Sequence, residues 1–277
     1  MTSAQPKLGI VAGAGEMPRQ IMQACERAGR PYFAVAIDEF APGMDATVPH
    51  KRIPISKIGA SIAALRANGC VEVVFAGKLQ RPDGRGVKLR PDLGGLEFLA
   101  RLFGSLSRSD DRLHRAIDAM FTSRGLRVVS PLDAAPDLAA RAGCLTRTRP
   151  TDALSATFKS ALEVAKRHGS TKQGQAVVVE AGNVTAREGR AGTDAMLASL
   201  SGRSKGGGVL VKAMAPTQLP TIDPPAIGES TVENAAKAGL AGILIEAGRS
   251  VIVDEARVRA RADELGLFVC AVAAEAS

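Results

Sequence analysis

Apolar and polar residues alternate in blocks along the first half of the chain. An apolar run at residues 7–12 ends at a glycine-rich turn, and apolar residues at helical spacing follow over 19–28. A second apolar run at 32–37 completes a strand, helix and strand unit, and the runs at 71–76 and 126–129 each follow a helical stretch that ends in glycine. This alternation predicts a Rossmann-like parallel sheet with helices.

The second half of the chain follows a less regular pattern. Residues 130–152 are irregular and contain prolines, which predicts a connection between an N-terminal α/β domain at 1–135 and a C-terminal α/β domain at 136–277. The fold class that we expect is therefore α/β with two domains, the second of them mixed. The pattern predicts, in order, a helix (153–167), a strand (175–182), a loop (187–197), a strand (208–212), a helix (231–239), a hairpin-like strand pair (242–254), a helix (255–265) and a strand (267–272).

Composition narrows the class of partner. Lysine and arginine number 36 against 28 acidic residues, and the resulting net charge of +8 favours an anionic partner. The chain has no tryptophan and one tyrosine, so it lacks the aromatic side chains on which single-stranded nucleic acid stacks, and we expect no nucleic-acid partner. No apolar stretch approaches the ~18 residues of a membrane span, and the first residues do not resemble a signal peptide, so we expect a cytoplasmic protein.

The four cysteines, Cys25, Cys70, Cys144 and Cys270, are scattered and form no C-x-x-C pair. This spacing argues against a thiolate metal site and against a disulfide framework. We therefore predict that all four are small buried apolar residues.

The turn Gly13-Ala14-Gly15 resembles the first part of a dinucleotide-binding loop, in which glycines let the backbone approach a phosphate at a helix N-terminus. Pro18 stands in place of the third glycine, which is compatible with a helix start but weakens the dinucleotide interpretation. Phosphate contact and a tight turn needed only for packing both stay open.

Other residues after the predicted strands could contact a ligand. Lys78 and Arg81 follow the strand at 71–76, and ligands of open α/β sheets gather outside the carboxyl ends of the strands, so both are phosphate-binding candidates. Asp38 follows the strand at 32–37 and is either a ribose-binding acid or part of a solvated turn. Asp111 precedes a helical run and either caps that helix or contacts substrate or metal.

Two acidic loops in the second half are candidates for a metal or substrate site. One loop contains Glu188 and the run Gly192-Thr193-Asp194, and the other contains Asp223 between prolines. A carboxylate in such a loop can bind Mg²⁺, which prefers a few carboxylates together with substrate phosphate oxygens. Lys212, at the end of a strand, could neutralise charge on a phosphoryl group. Alternatively, Thr193, Asp194 and Asp223 only cap a helix or a turn.

Five stretches of the chain match a known family. They are GIVAGAGEMP (9–18), FAGKLQRP (75–82), SDDRLHRAI (109–117), AREGRAGTDAML (186–197) and the long pattern K-x₃-P-x-Q-x₄-D-x-P-x-I-G-x₂-T (212–231). On these motifs the chain resembles the LpxI-type UDP-2,3-diacylglucosamine pyrophosphatases of lipid A biosynthesis. The resemblance extends over both halves of the chain, and the last pattern is long and specific.

The resemblance implies hydrolysis of the pyrophosphate bond of UDP-2,3-diacylglucosamine by water attack on the β-phosphorus, with UMP and 2,3-diacylglucosamine 1-phosphate (lipid X) as products. It implies Mg²⁺, with Mn²⁺ as the alternative metal, Asp223 as metal ligand and catalytic residue, and an active site between the two domains. Lys212 and Gln218 match the same motif as catalytic candidates, and Gly228 and Thr231 match it as substrate-binding candidates.

The family assignment also suggests where the protein works. A basic surface fits peripheral contact with the anionic cytoplasmic face of the inner membrane, where a diacylated substrate resides. A homodimer is compatible with the sequence. The chain departs from the family pattern at Ala191, Leu219 and Thr221, so the metal site is expected to rely on Asp223 and substrate oxygens more than on a carboxylate cluster.

Two other functions stay open on the residues alone. One is a nucleotide-dependent α/β enzyme, such as an oxidoreductase, that uses the loop from Gly13 to Gly15. The other is a basic module that binds a membrane surface or nucleic acid, for which steeply salt-dependent binding without turnover would be diagnostic.

Overall fold

The computed structural model of the chain describes residues 5–40, 44–78, 90–103, 110–202, 206–215, 221 and 224–273, with side chains except at 99–103 and 110–114. Contacts between residues divide it into an N-terminal unit, whose main stretch ends at Asp137, and a C-terminal unit, whose main stretch begins at Leu138. Within these ranges no helix is both long enough and apolar enough to cross a bilayer.

The N-terminal unit is built on a parallel sheet with helices. Its elements are β1 (Leu8–Ala12), α1 (Met17–Arg27), β2 (Tyr32–Ile37), β3 (His50–Ile53), α2 (Ile58–Ala67), β4 (Glu72–Ala76), α3 (Leu93–Phe103), α4 (Asp110–Thr122), β5 (Arg127–Val128) and α5 (Pro131–Ala134). A 3₁₀ turn, Pro136–Leu138, follows.

The strand order of this sheet is β3-β2-β1-β4-β5, and every pair is parallel. β1 and β4 are buried along their whole length, as expected for strands that are covered on both faces. The order reverses between β1 and β4, which is the arrangement of doubly wound nucleotide-binding folds. The predicted Rossmann-like parallel sheet is confirmed.

Charged residues close the opposite edge of the same sheet. Glu72, the first residue of β4, is buried and forms ion pairs with the buried Arg30 and with Arg127. Arg30 also donates to the carbonyl oxygen of Pro6 at 3.1 Å. Because a buried carboxylate is stable only when it is paired, these arginines are structural.

The C-terminal unit has a mixed sheet of order β6-β13-β11-β9-β7-β8 and a separate two-stranded sheet, β10-β12. Its elements are β6 (Gly143–Cys144), α6 (Asp152–Ser155), α7 (Phe158–Ser170), β7 (Ala176–Glu180), β8 (Asn183–Arg187), α8 (Gly192–Ser199), β9 (Val209–Lys212), β10 (Ala226–Ile227), α9 (Glu229–Lys237), β11 (Gly242–Ala247), β12 (Val251–Ile252), α10 (Glu255–Leu265) and β13 (Phe268–Ala273).

Alternating side chains of the mixed sheet form two apolar clusters, one on each face. Leu210 of β9 and Ile245 of β11 pack in a cluster with residues of α8, α9 and α10. Val211 and Leu244, on the same two strands, pack in a cluster with residues of α7. The sheet is therefore covered by α7 on one face and by α8, α9 and α10 on the other.

Several predicted elements need correction. The hairpin-like pair over 242–254 is wrong, because β11 lies in the mixed sheet whereas β12 pairs in parallel with β10. The predicted loop over 187–197 is too long, because α8 begins at Gly192. The edge strands β3 and β8 were not predicted, since β3 buries only Ile53 and β8 buries none of its residues fully.

The prediction for the cysteines is half correct. Cys25 and Cys70 are free and buried, and burial raises the pKa of both thiols. Cys144 and Cys270, however, form a disulfide. The antiparallel pairing of β6 with β13 sets these two residues directly opposite each other, although 126 positions separate them in the sequence.

Candidate active site

Loops at the carboxyl ends of β1 and β4 are tied together in the N-terminal unit. The Gly13 amide donates to Ala76 O at 2.8 Å, and Ala14 and Lys78 exchange two backbone hydrogen bonds of 3.0 and 2.8 Å. Gly77 has φ +87°, and a Cβ there would lie 2.5 Å from the Ala14 carbonyl oxygen, so only glycine fits. The two loops thus form one rigid turn at the point where the strand order reverses.

The start of α1 belongs to the same region. Gly15 has φ +97°, and the N-cap residue Glu16 makes no side-chain hydrogen bond to the helix. The first backbone N–H groups of such a helix are suited to an anion, so the predicted phosphate contact of the loop from Gly13 to Gly15 stays a prediction with a compatible geometry. Asp38 accepts a hydrogen bond from Arg52 at 3.0 Å, which favours the turn interpretation of Asp38.

One edge of the mixed sheet in the C-terminal unit gathers several predicted site residues. Lys212 ends β9, and β11 runs parallel to it with Ile245 opposite Lys212, so Glu246 follows at the same edge. β7 runs antiparallel and begins there, with Ala176 opposite Lys212. Glu188, just after β8, donates its backbone N–H to Ala176 O, which brings Glu188 to this edge as well.

Glu188 is buried and holds three chain segments together. Its Oε2 accepts from the Gln175 amide at 2.8 Å, and its Oε1 accepts from the Thr193 hydroxyl at 3.0 Å. Its carbonyl oxygen lies 2.8 Å from Nε2 of the buried His168. A Cβ on Gly174 would lie 2.5 Å from the Glu188 side chain, so the carboxylate is closely surrounded.

The run Gly192-Thr193-Asp194 forms the first turn of α8. Gly192 has φ +86°, a backbone conformation that favours glycine. The side chain of Asp194 accepts a hydrogen bond from Asn234 of α9 at 3.0 Å, and Thr193 is bound to Glu188 as described. All three residues therefore have a structural task, and their predicted contact with substrate stays a prediction.

The ammonium group of Lys212 is turned toward the backbone of β10. Lys212 is 7% exposed, and its Nζ donates to the Ala226 carbonyl oxygen at 3.0 Å. The next helix, α9, is capped by Thr231, whose hydroxyl accepts from the Gly228 amide at 3.3 Å. The matching residues Gly228 and Thr231 are thus placed at the start of a helix that follows the motif.

Glu246 is the most deeply buried acid of this edge, with no exposed surface. Its Oε2 accepts from the Met214 amide at 3.3 Å, and its Oε1 lies 3.3 Å from Nζ of Lys166 on α7. Burial alone would lower the pKa of the Lys166 ammonium, but the carboxylates of Glu163 and Glu246 outweigh it, so this pKa lies above its usual value. Lys166 therefore stays charged beside Glu246.

Some predicted site residues lie outside the described part of the chain. These are Arg81, Gln218 and Asp223, and the side chain of Asp111 is likewise not described, although its backbone lies in α4. Their predicted roles stay predictions.

The described residues give no metal shell. Among them, no group of three or more histidine, cysteine, aspartate or glutamate side chains is placed to hold a metal ion. Both carboxylate oxygens of Glu188 are used by the chain itself, and Glu246 faces an ammonium group. The described part therefore does not by itself fit a Mg²⁺ site, and the metal prediction depends on Asp223.

Sequence reasoning missed Glu246, Lys166 and His168 at this edge. The detectable signal was a glutamate inside the apolar run GILIEA, because an acid in a buried strand requires a partner. That partner stands on α7, distant in sequence, and no local pattern indicates it. A cavity of about 560 Å³ elsewhere in the unit contains none of the predicted site residues and is lined by residues that include Cys144, Pro150, Phe158, Lys159, Cys270 and Val272.

Comparison with protein families gives matches over most of the chain. Residues 7–138 match the LpxI N-terminal domain, and residues 141–270 match the LpxI C-terminal domain. The chain is also similar to the UDP-2,3-diacylglucosamine pyrophosphatase LpxI of Caulobacter vibrioides. The two are 38% identical over 275 residues, which cover 96% of this chain and 97% of that protein.

Solved structures resemble the chain only distantly. The precorrin-6A reductase CobK has a TM-score of 0.30 at 11% identity, covering 98% of this chain and 89% of that one. An isoflavone reductase has a TM-score of 0.26 at 12% identity, covering 98% of this chain and 79% of that one. At these scores the likeness supports no conclusion about this chain.

Proposed function

This chain belongs to the LpxI family, and we propose that it hydrolyses the pyrophosphate bond of UDP-2,3-diacylglucosamine to give UMP and 2,3-diacylglucosamine 1-phosphate. The observation that supports the proposal is the match to a UDP-2,3-diacylglucosamine pyrophosphatase along nearly the full length of both chains. Two predictions are confirmed by this match: the family assignment, and the classification of the chain as an enzyme of this pyrophosphatase class.

In the proposed reaction a water oxygen attacks the β-phosphorus. A new P–O bond forms there, the bond from the β-phosphorus to the bridging oxygen breaks, and UMP leaves with that oxygen. Mg²⁺, when bound, would supply positive charge to the phosphate oxygens. Asp223, in the motif at 212–231, is the residue proposed to bind the metal.

The nucleotide part of the substrate is consistent with the fold of the N-terminal unit. Its strand order is that of nucleotide-binding sheets, and the glycine turn stands at the reversal of that order. The turn is rigid, because Ala14 and Lys78 bond each other. We expect substitution of Gly15 by valine to raise KM more than it lowers kcat, since a side chain at φ +97° would distort the turn.

Peripheral contact with an anionic membrane surface belongs to the same proposal. The net charge of +8 and a diacylated substrate support it. Sedimentation with vesicles of phosphatidylglycerol tests this point, with phosphatidylcholine vesicles as the control. Binding to the first that weakens with salt is expected, and equal binding to both would contradict the electrostatic basis.

The decisive test of the function is turnover by purified protein. With Mg²⁺, the wild-type chain should release UMP from UDP-2,3-diacylglucosamine, and Asp223→Ala should stay folded, bind substrate and lose most of its activity. Asp45→Ala, which removes an exposed loop acid, is the matched control and should retain activity. Absence of UMP release by the wild-type chain with either Mg²⁺ or Mn²⁺ would refute the function, and near-wild-type turnover by Asp223→Ala would refute the role of that residue.

A further inference from the structure

The motif at 212–231 contains a segment, residues 216–223, whose two ends are attached to the C-terminal unit. Residues 213–215 form the outgoing stem, directly after β9, and residues 224–226 form the returning stem, which leads into β10. Both stems are described, and Asp223 immediately precedes the returning one. The position of Asp223 therefore depends on what holds these stems.

Each stem is held by a buried charged side chain. Glu246 accepts a hydrogen bond from the Met214 amide in the outgoing stem, and Lys212 donates one to the Ala226 carbonyl in the returning stem. The returning stem is also bound at Pro225, whose carbonyl oxygen accepts from the Val251 amide at 2.8 Å. Lys212 and Glu246 thus reach the two ends of one segment from neighbouring strands.

The two side chains leave the sheet on opposite faces. Leu210 packs in the cluster with α8, α9 and α10, and side chains alternate along a strand, so Lys212 points to that face. By the same rule Glu246 points to the face of Leu244, which is covered by α7. The segment is consequently held from both sides of the sheet.

Burial of a charge is unfavourable by several kcal/mol unless the charge is paired and hydrogen-bonded. A stem amide alone could be satisfied by a neutral acceptor. Glu246 instead stands with one oxygen on that amide and the other 3.3 Å from the ammonium of Lys166, with a guanidinium nitrogen of Arg249 at 4.0 Å. The carboxylate is therefore fixed by charges on α7 and at the end of β11, and it transmits that fixed position to the stem.

We propose that Glu246 and Lys212 are positioning residues for catalysis, which set the placement of Asp223 by anchoring the two stems of its segment. The proposal rests on the proposed function for its activity readout. It assigns Lys212 to the backbone of the returning stem, in place of direct contact with a phosphoryl group. Lys166 is the counter-ion that keeps Glu246 charged.

Substitution of Glu246 tests the outgoing stem. Glu246→Ala removes the acceptor of the Met214 amide, so we expect kcat to fall about 10- to 100-fold with KM changed less than about 3-fold, because small displacements of a reacting group have effects of this size. Glu246→Gln keeps an acceptor oxygen and should recover most of kcat. Glu264→Gln, at an exposed position of the same unit, is the control and should leave kcat unchanged.

Amide hydrogen exchange gives a readout that does not depend on activity. In a peptide that contains Met214, Glu246→Ala should speed exchange of that amide at least about 10-fold, whereas Glu246→Gln should not. If the alanine variant does not fold, Glu246→Gln and Lys166→Met provide the same comparison. Unchanged Met214 exchange in a folded Glu246→Ala variant would overturn the anchoring role.

A double-variant cycle tests Lys212. If both residues act through one segment, Lys212→Met and Glu246→Ala should together lower kcat by clearly less than the product of their separate effects. Multiplying effects would overturn the shared role and would favour direct phosphate contact by Lys212. Failure of the wild-type chain to hydrolyse the substrate would refute the proposed function alone, because the exchange experiment would still decide whether Glu246 anchors the stem.

Discussion

Replacement of Glu188 separates a structural role from the substrate contact that the sequence predicts. The carboxylate accepts one hydrogen bond from the Gln175 amide and one from the Thr193 hydroxyl, and it joins the start of β7 to the start of α8. Glu188→Ala removes both bonds and leaves both donors in a largely buried place. Glu188→Gln keeps one acceptor for the amide, and its NH₂ group can donate to the hydroxyl.

The magnitude follows from these contacts. Two hydrogen bonds to a charged acceptor, at about 1.5 kcal/mol each, give a loss near 3 kcal/mol for Glu188→Ala. For a protein of this size about 1 kcal/mol corresponds to roughly 2–4 °C in Tm, so the expected decrease is about 6–12 °C. Glu188→Gln should lose less than half of that.

Thermal unfolding followed by circular dichroism is the assay, with Glu255→Ala as a control at an exposed position of α10. The control should shift Tm by no more than about 2 °C. Substrate KM is measured on the same variants. If Glu188→Ala leaves Tm within about 2 °C of the wild type and raises KM more than about 10-fold, the structural role is refuted and direct substrate contact is supported.

Three further outcomes test the fold. Burial alone would raise the pKa of Asp92, but hydrogen bonds from the amides of Gly95, Ala60 and Gly59 outweigh it and lower the pKa. The stability that Asp92 adds over Asp92→Ala should be full above about pH 4 and disappear as pH falls further, and a difference in Tm independent of pH would contradict this. Thiol titration in denaturant should find two thiols without reductant and four with it, and reduction should destabilise the C-terminal unit by about 4 kcal/mol; four thiols without reductant would contradict the Cys144–Cys270 disulfide. Glu72→Leu should destabilise the N-terminal unit by about 3–5 kcal/mol because it leaves Arg30 buried without its partner, and a loss below about 1 kcal/mol by denaturant unfolding would contradict that.

The sequence predicted the N-terminal sheet well for a physical reason. Strands that are covered on both faces must be apolar throughout, and such runs are visible at β1, β2 and β4. The strand β3, with the sequence HKRI, was missed because it is an edge strand that buries one residue. Its pairing with β2 is decided by tertiary structure and leaves no periodic signal.

The candidate site could be predicted only in part. Glu188, Thr193 and Lys212 were identified from residue type and loop composition, and the structure brings them to one edge of the mixed sheet. Their hydrogen-bond partners were not predictable, because Ala226 and Gln175 become neighbours only through strand pairing. The same holds for the disulfide, since the register of β6 against β13 alone makes Cys144 and Cys270 opposite residues.

The most direct test of the central claim is hydrolysis of UDP-2,3-diacylglucosamine by the purified chain in ¹⁸O-labelled water, with both products examined by mass spectrometry. The account predicts release of UMP without label and of 2,3-diacylglucosamine 1-phosphate with one labelled oxygen. Label in UMP would contradict attack on the β-phosphorus. Recovery of intact substrate, with neither product formed, would contradict the proposed function itself.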